Sequence, residues 1–216
     1  MENTKPKLVI FASGSKTGGG SGFEKLVLAQ REGILNADIA AVVSNHENGG
    51  VREKADRLGI NFIHFPGPFT ADAYQEILNK IGAEFVSLSG WLKLVAGLDP
   101  RKTFNIHPGP LPRFGGKGMY GHHVHKAVMD AYRKGEVKNS EITMHFVTPE
   151  YDKGPTFFKL PIEIFFDDTA ETLGKRANEA EHKYQPYITD LIVNGKISWD
   201  GINPDSLQVP IGYKFI

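Results

Sequence analysis

The amino-acid sequence predicts an α/β fold: a Rossmann-like, mostly parallel twisted sheet with helices on both faces. Three observations point there. Short continuous apolar runs such as Leu8-Val9-Ile10-Phe11-Ala12 and Ile39-Ala40-Ala41-Val42-Val43 have the character of strands buried on both faces. Segments of helical period alternate with these runs, as parallel crossover units require, and such crossovers are right-handed. A glycine- and serine-rich loop over residues 13–22 joins the first strand to the first helix. Ligands of open α/β sheets bind at such carboxyl-end connections.

Taken in order, residues 8–12 form the first strand and 23–30 the first helix, with Phe23, Leu26, Val27 and Ala29 as its apolar positions. Residues 39–43 are a second strand. Residues 51–58 are a short helix stopped by Gly59. A third strand is expected over 60–63, ahead of Pro66-Gly67-Pro68. A helix over 71–81 is stopped by Gly82, and strands follow at 85–89 and 103–106. The second half is less regular. A helix is expected over 124–133. Residues 141–147 alternate Ile142, Met144 and Phe146 against Thr143 and His145, which is strand spacing. Residues 157–166 read as a strand carrying Pro161, hence at an edge or bulge. Asp168 with Glu171 three residues on predicts the cap of a last helix reaching to about Asn194. Residues 196–216 carry scattered apolar residues and are expected on the surface.

The 216 residues read as a single domain, with a phosphate-binding half over about 1–100 and a catalytic half over about 101–216. Hydrophobic residues make up 40%, enough for an ordinary core. Lys and Arg total 25, as do Asp and Glu, so no global charge draws the chain to nucleic acid or membrane. Any anionic ligand must be held by a local site. The absence of cysteine excludes disulfides and thiolate metal sites and fits the cytoplasm. The opening Met1-Glu2-Asn3-Thr4-Lys5-Pro6-Lys7 is followed by too short an apolar run for a signal or a membrane span.

The chemistry concentrates in Phe104-Asn105-Ile106-His107-Pro108-Gly109-Pro110-Leu111-Pro112. In an extended strand, residues i and i+2 point the same way, so Asn105 and His107 aim an amide and an imidazole at one place. The prolines beyond them force the chain out of the sheet. Asp152, in Tyr151-Asp152-Lys153-Gly154-Pro155, is by default a turn carboxylate. Amide, imidazole and carboxylate together suit acyl transfer: two groups hold an oxyanion and the third manages protons. In the loop over 13–22, Gly18, Gly19, Gly20, Ser21 and Gly22 lead into a helix N-terminus and can cradle a phosphate; Lys16 adds charge. The loop lacks Gly-Lys-Ser/Thr, and its glycine spacing misses Gly-x-Gly-x-x-Gly at Phe23, which disfavours a dinucleotide. His122-His123-x-His125 at a helix start does not face one point, so no metal is expected.

These pieces together resemble the folate-dependent glycinamide ribonucleotide transformylase family. The resemblance is carried by Ser89-Gly90-Trp91-Leu92-Lys93-Leu94-Val95, Asn105-Ile106-His107-Pro108, Leu111-Pro112, His145-Phe146-Val147-Thr148, Tyr151-Asp152-Lys153-Gly154-Pro155 and Glu181-His182, spread over most of the chain. It implies a formyltransferase fold and transfer of a formyl group from 10-formyltetrahydrofolate, a co-substrate, to the amine of glycinamide ribonucleotide, without a metal. Asn105, His107 and Asp152 match the family's catalytic three. Pro108 and Glu181 would face the ribose or amine, and the glycine loop the phosphate. The folate would lie against Leu92, Lys93, Leu94, Val95, Thr148 and Tyr151. The resemblance also implies an oxyanion held by Asn105 and a protonated His107, with Asp152 favouring the imidazolium. The partners implied are these small molecules, with neither nucleic acid nor membrane, in a monomer or homodimer.

Two features depart from the family pattern. The glycine loop is longer and richer in glycine, and Phe114-Gly115-Gly116-Lys117-Gly118-Met119-Tyr120-Gly121 looks like an insertion that would wall the amine site. The related methionyl-tRNA formyltransferases carry a further C-terminal domain, and formyltetrahydrofolate deformylases usually an N-terminal one; a neutral chain whose first strand begins near Lys7 is expected to be neither. The alternatives are a formyltransferase for another amine, such as an amino-sugar nucleotide, and a non-catalytic folate- or nucleotide-binding module.

Overall fold

The computed structural model describes residues 4–216. The reading of Met1, Glu2 and Asn3 as part of an untargeted start lies outside the described residues. A seven-stranded sheet runs in the order β3-β2-β1-β4-β5-β6-β7. Its strands are β1 (Lys7–Phe11), β2 (Asp38–Ser44), β3 (Phe62–His64), β4 (Phe85–Leu88), β5 (Thr103–His107), β6 (Asn139–Phe146) and β7 (Thr156–Glu163). The first five pair in parallel; β6 and β7 continue the sheet antiparallel. The helices are α1 (Ser21–Arg31), α2 (Gly50–Leu58), α3 (Ala71–Ile81), α4 (His122–Arg133) and α5 (Ala170–Val193). The main core, on one face, takes residues from α1, α2, α4 and α5; α3 covers the other with Tyr74.

The strand order reverses between β1 and β4, which opens a crevice beyond their carboxyl ends. Two loops meet there. Ser13 ties them: its hydroxyl accepts the Leu92 N–H at 3.0 Å, and its N–H bonds the Gly90 carbonyl at 2.9 Å.

Three local expectations change. The third strand starts at Phe62, not 60, because Ile60 is spent closing α2. Gly59 is left-handed at φ 65°, and the Ile60 N–H returns to the Ala55 carbonyl at 2.9 Å. The last helix is capped by Thr169 rather than Asp168: Thr169 and Thr172 bond each other's backbone reciprocally. Asp168 instead accepts from Arg176, Thr172 and the Phe165 N–H. The tail is more than surface. Ile197 and Trp199 are buried in the main core, and Trp199 lies 5.7 Å from the Phe146 ring. Pro161 sits on the edge strand β7, whose Lys159 N–H bonds the Phe215 carbonyl at 2.6 Å. No helix among the described residues is long and apolar enough to cross a membrane.

Candidate active site

The crevice is a cleft of about 760 Å³. Asn105, His107 and Asp152 line it, joined by Pro108, Glu181, Gly19, Gly20, Ser21, Gly22, Leu92 and Tyr151. The remaining candidates sit elsewhere. Gly18 forms a bridge with Ser15 and packs under the loop against Gly50, where a Cβ on Gly50 would strike its backbone. Val95 is buried in the aromatic core, and the Lys93 ammonium lies over the Phe69 ring. Leu94 is exposed, with its carbonyl held by Tyr74. Thr148 bonds the Glu150 carbonyl.

The geometry of the candidate catalytic groups comes from two antiparallel strands and one turn. Asn105 on β5 faces His145 on β6, and His107 faces Thr143. The His145 Nδ1–H donates to the Phe146 carbonyl at 2.8 Å, which turns Nε2 toward Asn105 and Asp152. Asn105 Nδ2 lies 3.1 Å from that nitrogen, which turns the amide nitrogen inward and leaves its second N–H unspent on His145. His107 is 3% exposed. Its Nε2–H donates to the Phe114 carbonyl at 2.8 Å, and Nδ1 stands 3.9 Å from Asp152 Oδ2. Asp152 Oδ1 lies 3.4 Å from His145 Nε2.

Asp152 reaches this place with φ 54°, the left-handed region, which costs a side-chain-bearing residue about 1–3 kcal/mol and which Asp tolerates better than most. Two residues on, a Cβ at Gly154 would collide with the Phe146 carbonyl, so the turn folds back tightly on β6.

The charges differ from the sequence expectation. Burial lowers the His107 pKa and outweighs the raising pull of Asp152 and of the Phe114 carbonyl. This direction favours the neutral ring over the imidazolium; in the neutral ring Nε2–H is spent on the Phe114 carbonyl and Nδ1 carries no proton to donate. Burial pushes Asp152 up, but His145, the Gly116 N–H and His107 more than offset it, leaving the carboxyl below its usual range.

Opposite these groups, α1 begins at Gly20, left-handed at φ 74°, with no side chain capping it. The N–H groups of the first turn, from Ser21 on, have no intrahelical partner and suit an anion. A Cβ on Gly22 would strike Ser89 Oγ, so the helix start sits directly on the end of β4. Along α5, Gly174, Asn178, Glu181 and Gln185 line the cleft at spacings of four, three and four, one helical stripe. Glu181 is half-buried. Burial outweighs its bond from Asn178 Nδ2 at 3.1 Å and pushes its pKa up to about 7.

Sequence reasoning named His145 only within a family motif and Gly116 only within the inserted segment, gave neither a role of its own, and passed over Asn178 and Gln185. The stripe on α5 was legible in its spacing; His145 needed the β5–β6 register. The three histidines in the first turn of α4 point apart. His122 lies 3.6 Å from Glu171, His123 stacks edge-on with Tyr120, and His125 is buried against Gly174. Among the described residues, no group of three or more His, Asp or Glu is placed to hold a metal ion.

Residues 6–189 match the sequence profile of the formyl transferase family. The chain is 35% identical to a chloroplastic phosphoribosylglycinamide formyltransferase of Arabidopsis thaliana, over 94% of this chain and 74% of that protein. It is 32% identical to the phosphoribosylglycinamide formyltransferase of Bacillus subtilis, over 84% of this chain and 92% of that one. The crystal structure of glycinamide ribonucleotide transformylase 1 from Symbiobacterium toebii superposes with a TM-score of 0.80 at 27% identity, covering 97% of this chain and 96% of that one.

Proposed function

The chain belongs to the formyl transferase family, and we propose that it is a phosphoribosylglycinamide formyltransferase, moving a formyl group from 10-formyltetrahydrofolate to the amine of glycinamide ribonucleotide in purine biosynthesis. The observation that carries the mechanism is the meeting of Asn105, His107 and Asp152 in one cleft, across from an uncapped helix start. The phosphate lies on the N–H groups from Gly19 to Gly22, and the ribose beside Glu181 and Asn178. The folate lies at the other end, where Leu92 and Tyr151 expose 41% and 37% of their surface. The compartment we propose is the cytoplasm, on the cysteine-free, charge-balanced composition.

The amine nitrogen attacks the formyl carbon on N10, forming a C–N bond while the carbonyl oxygen becomes an alkoxide. The free N–H of Asn105 donates to that oxygen. The attacking nitrogen gives up a proton to Nδ1 of His107, the ring nitrogen that is not already donating, and Asp152 stabilises the imidazolium formed. The same proton goes to N10 as the C–N10 bond breaks. Neutral His107 is thus the proton carrier rather than an oxyanion holder.

The test mixes protein, 10-formyltetrahydrofolate and glycinamide ribonucleotide and follows the deformylated folate by absorbance. Amine-dependent turnover is expected, with Asn105→Ala losing on the order of 10²–10³ in kcat. Folate loss without the amine would make the chain a hydrolase, and folate binding without turnover would make it a binding module or a transferase for another amine.

A further inference from the structure

The segment between Pro112 and α4 passes over the catalytic groups, and three consecutive residues of it hold two of them. The Phe114 carbonyl accepts the His107 Nε2–H at 2.8 Å. Two residues on, the Gly116 N–H donates to Asp152 Oδ2 at 2.8 Å. Gly115, between them, is pressed against the carboxylate residue. A Cβ there would stand 3.0 Å from Asp152 Cβ, 3.3 Å from Asp152 Oδ2 and 2.5 Å from the Leu111 side chain.

We infer that the Phe114-Gly115-Gly116 backbone is a bracket that assigns the protons of the His107–Asp152 pair, with Gly115 the positioning residue that lets it seat. A carbonyl only accepts, so Nε2 of His107 must keep its proton. The proton that moves is thereby confined to Nδ1, on the side facing Asp152. An amide N–H only donates, so it favours the carboxylate and holds Oδ2 as the charged partner of the arriving proton. One short peptide thus sets the donor end of the imidazole and the acceptor end of the carboxylate together. The titratable groups that face Asp152 are His107 from β5 and His145 from β6; Tyr151 and, from the segment itself, Lys117 line the same cleft. Neither histidine gives the carboxylate a bond as short as the Gly116 amide does. The role in catalysis rests on the proposed formyl transfer; the proton assignment does not.

Two measurements test the bracket. In wild-type protein, the Gly116 amide proton shift should titrate with the same midpoint as the Asp152 carboxyl carbon, both followed by NMR, the latter assigned by its loss in Asp152→Asn. An amide shift indifferent to that midpoint would overturn the inference without any variant having to fold. In Gly115→Ala, the Asp152 midpoint should rise by about one pH unit, since the amide is displaced from the carboxylate. The acid limb of kcat should move up with it, measured with 10-formyl-5,8-dideazafolate, which lacks N5 and cannot cyclise in acid. Both KM values should stay within about twofold. Leu111→Ala/Gly115→Ala removes the clash with the leucine and keeps that with Asp152, and Leu111→Ala alone controls for packing. A folded double variant with an unmoved midpoint would overturn the bracket. A moved midpoint in a protein that transfers no formyl group would sink the proposed function and leave the bracket standing.

Discussion

Under the proposed function, Glu181 is the residue whose charge state would decide how the cleft treats a ribose. With its pKa pushed up to about 7, the carboxyl changes charge in the working range of most enzymes. Only the ionised form accepts from two sugar hydroxyls at once, so affinity should fall as pH falls through that value. Between pH 8 and 6 the ionised fraction drops about tenfold. We expect KM for the ribonucleotide to rise by about that factor, and Glu181→Gln to flatten the profile at the higher KM. A profile unchanged by the substitution would assign the dependence to the substrate phosphate. At this scale the sequence was readable in part. Asn105 and His107 follow from strand alternation, and Asp152 from its turn context. That Asp152 adopts φ 54°, and that the His107 pKa is lowered, depend on burial and backbone contacts that residue order alone does not carry.

Among the elements, the segment after β4 shows how a wall is braced from behind. Tyr74 of α3 is fully buried, and its hydroxyl donates to the Leu94 carbonyl at 3.1 Å while accepting the Trp91 indole N–H at 3.0 Å. Burial pushes the phenol up to about 12, so the donor proton is always present. Tyr74→Phe should leave the Leu94 carbonyl and the Trp91 N–H unpaired and cost about 1–3 kcal/mol of stability. If the wall receives the folate, KM for the formyl donor should rise several-fold while KM for the ribonucleotide stays within about twofold. Equal changes in both would mean the hydroxyl serves the fold alone. The elements themselves were largely legible, because apolar runs and glycine stops mark them. His145 was not. The alternation of residues 141–147 puts it opposite Met144 and Phe146, but only the register Asn105↔His145 sets it beside the Asn105 amide. Register depends on pairing between distant segments.

For the whole molecule, the antiparallel end of the sheet is clasped to α5 by Asp168. Arg176 grips this carboxylate with two bonds of 2.8 Å, the Phe165 N–H and Thr172 hydroxyl add theirs, and the guanidinium lies 4.3 Å over the Phe165 ring. The Arg176 bonds hold the Asp168 carboxyl far below its usual range. A depressed carboxyl stabilises the fold above its unfolded pKa of about 4, and that contribution is lost progressively as pH falls below it. Asp168→Asn should therefore cost about 2–3 kcal/mol in urea unfolding at pH 7, with a smaller deficit at pH 3. A deficit that does not shrink in acid would assign the effect to packing.

The glycine loop is held in shape by other backbone rather than by anything it binds. Gly49 and Gly50, at the head of α2, lie so close to Ser15 and Gly18 that a methyl group on either would collide with them, and Gly19 stands equally close to Gly14. The hairpin is therefore finished before an anion arrives. If the loop receives the substrate phosphate as proposed, capture would surrender little loop entropy, and encounter would be limited by diffusion to an open mouth rather than by waiting for a strap to close. That rigidity has a genetic counterpart: six small residues from two separate turns form one interlocking piece, and because the atoms met are backbone, no exchange across the gap could make room for a side chain at Gly19, Gly49 or Gly50.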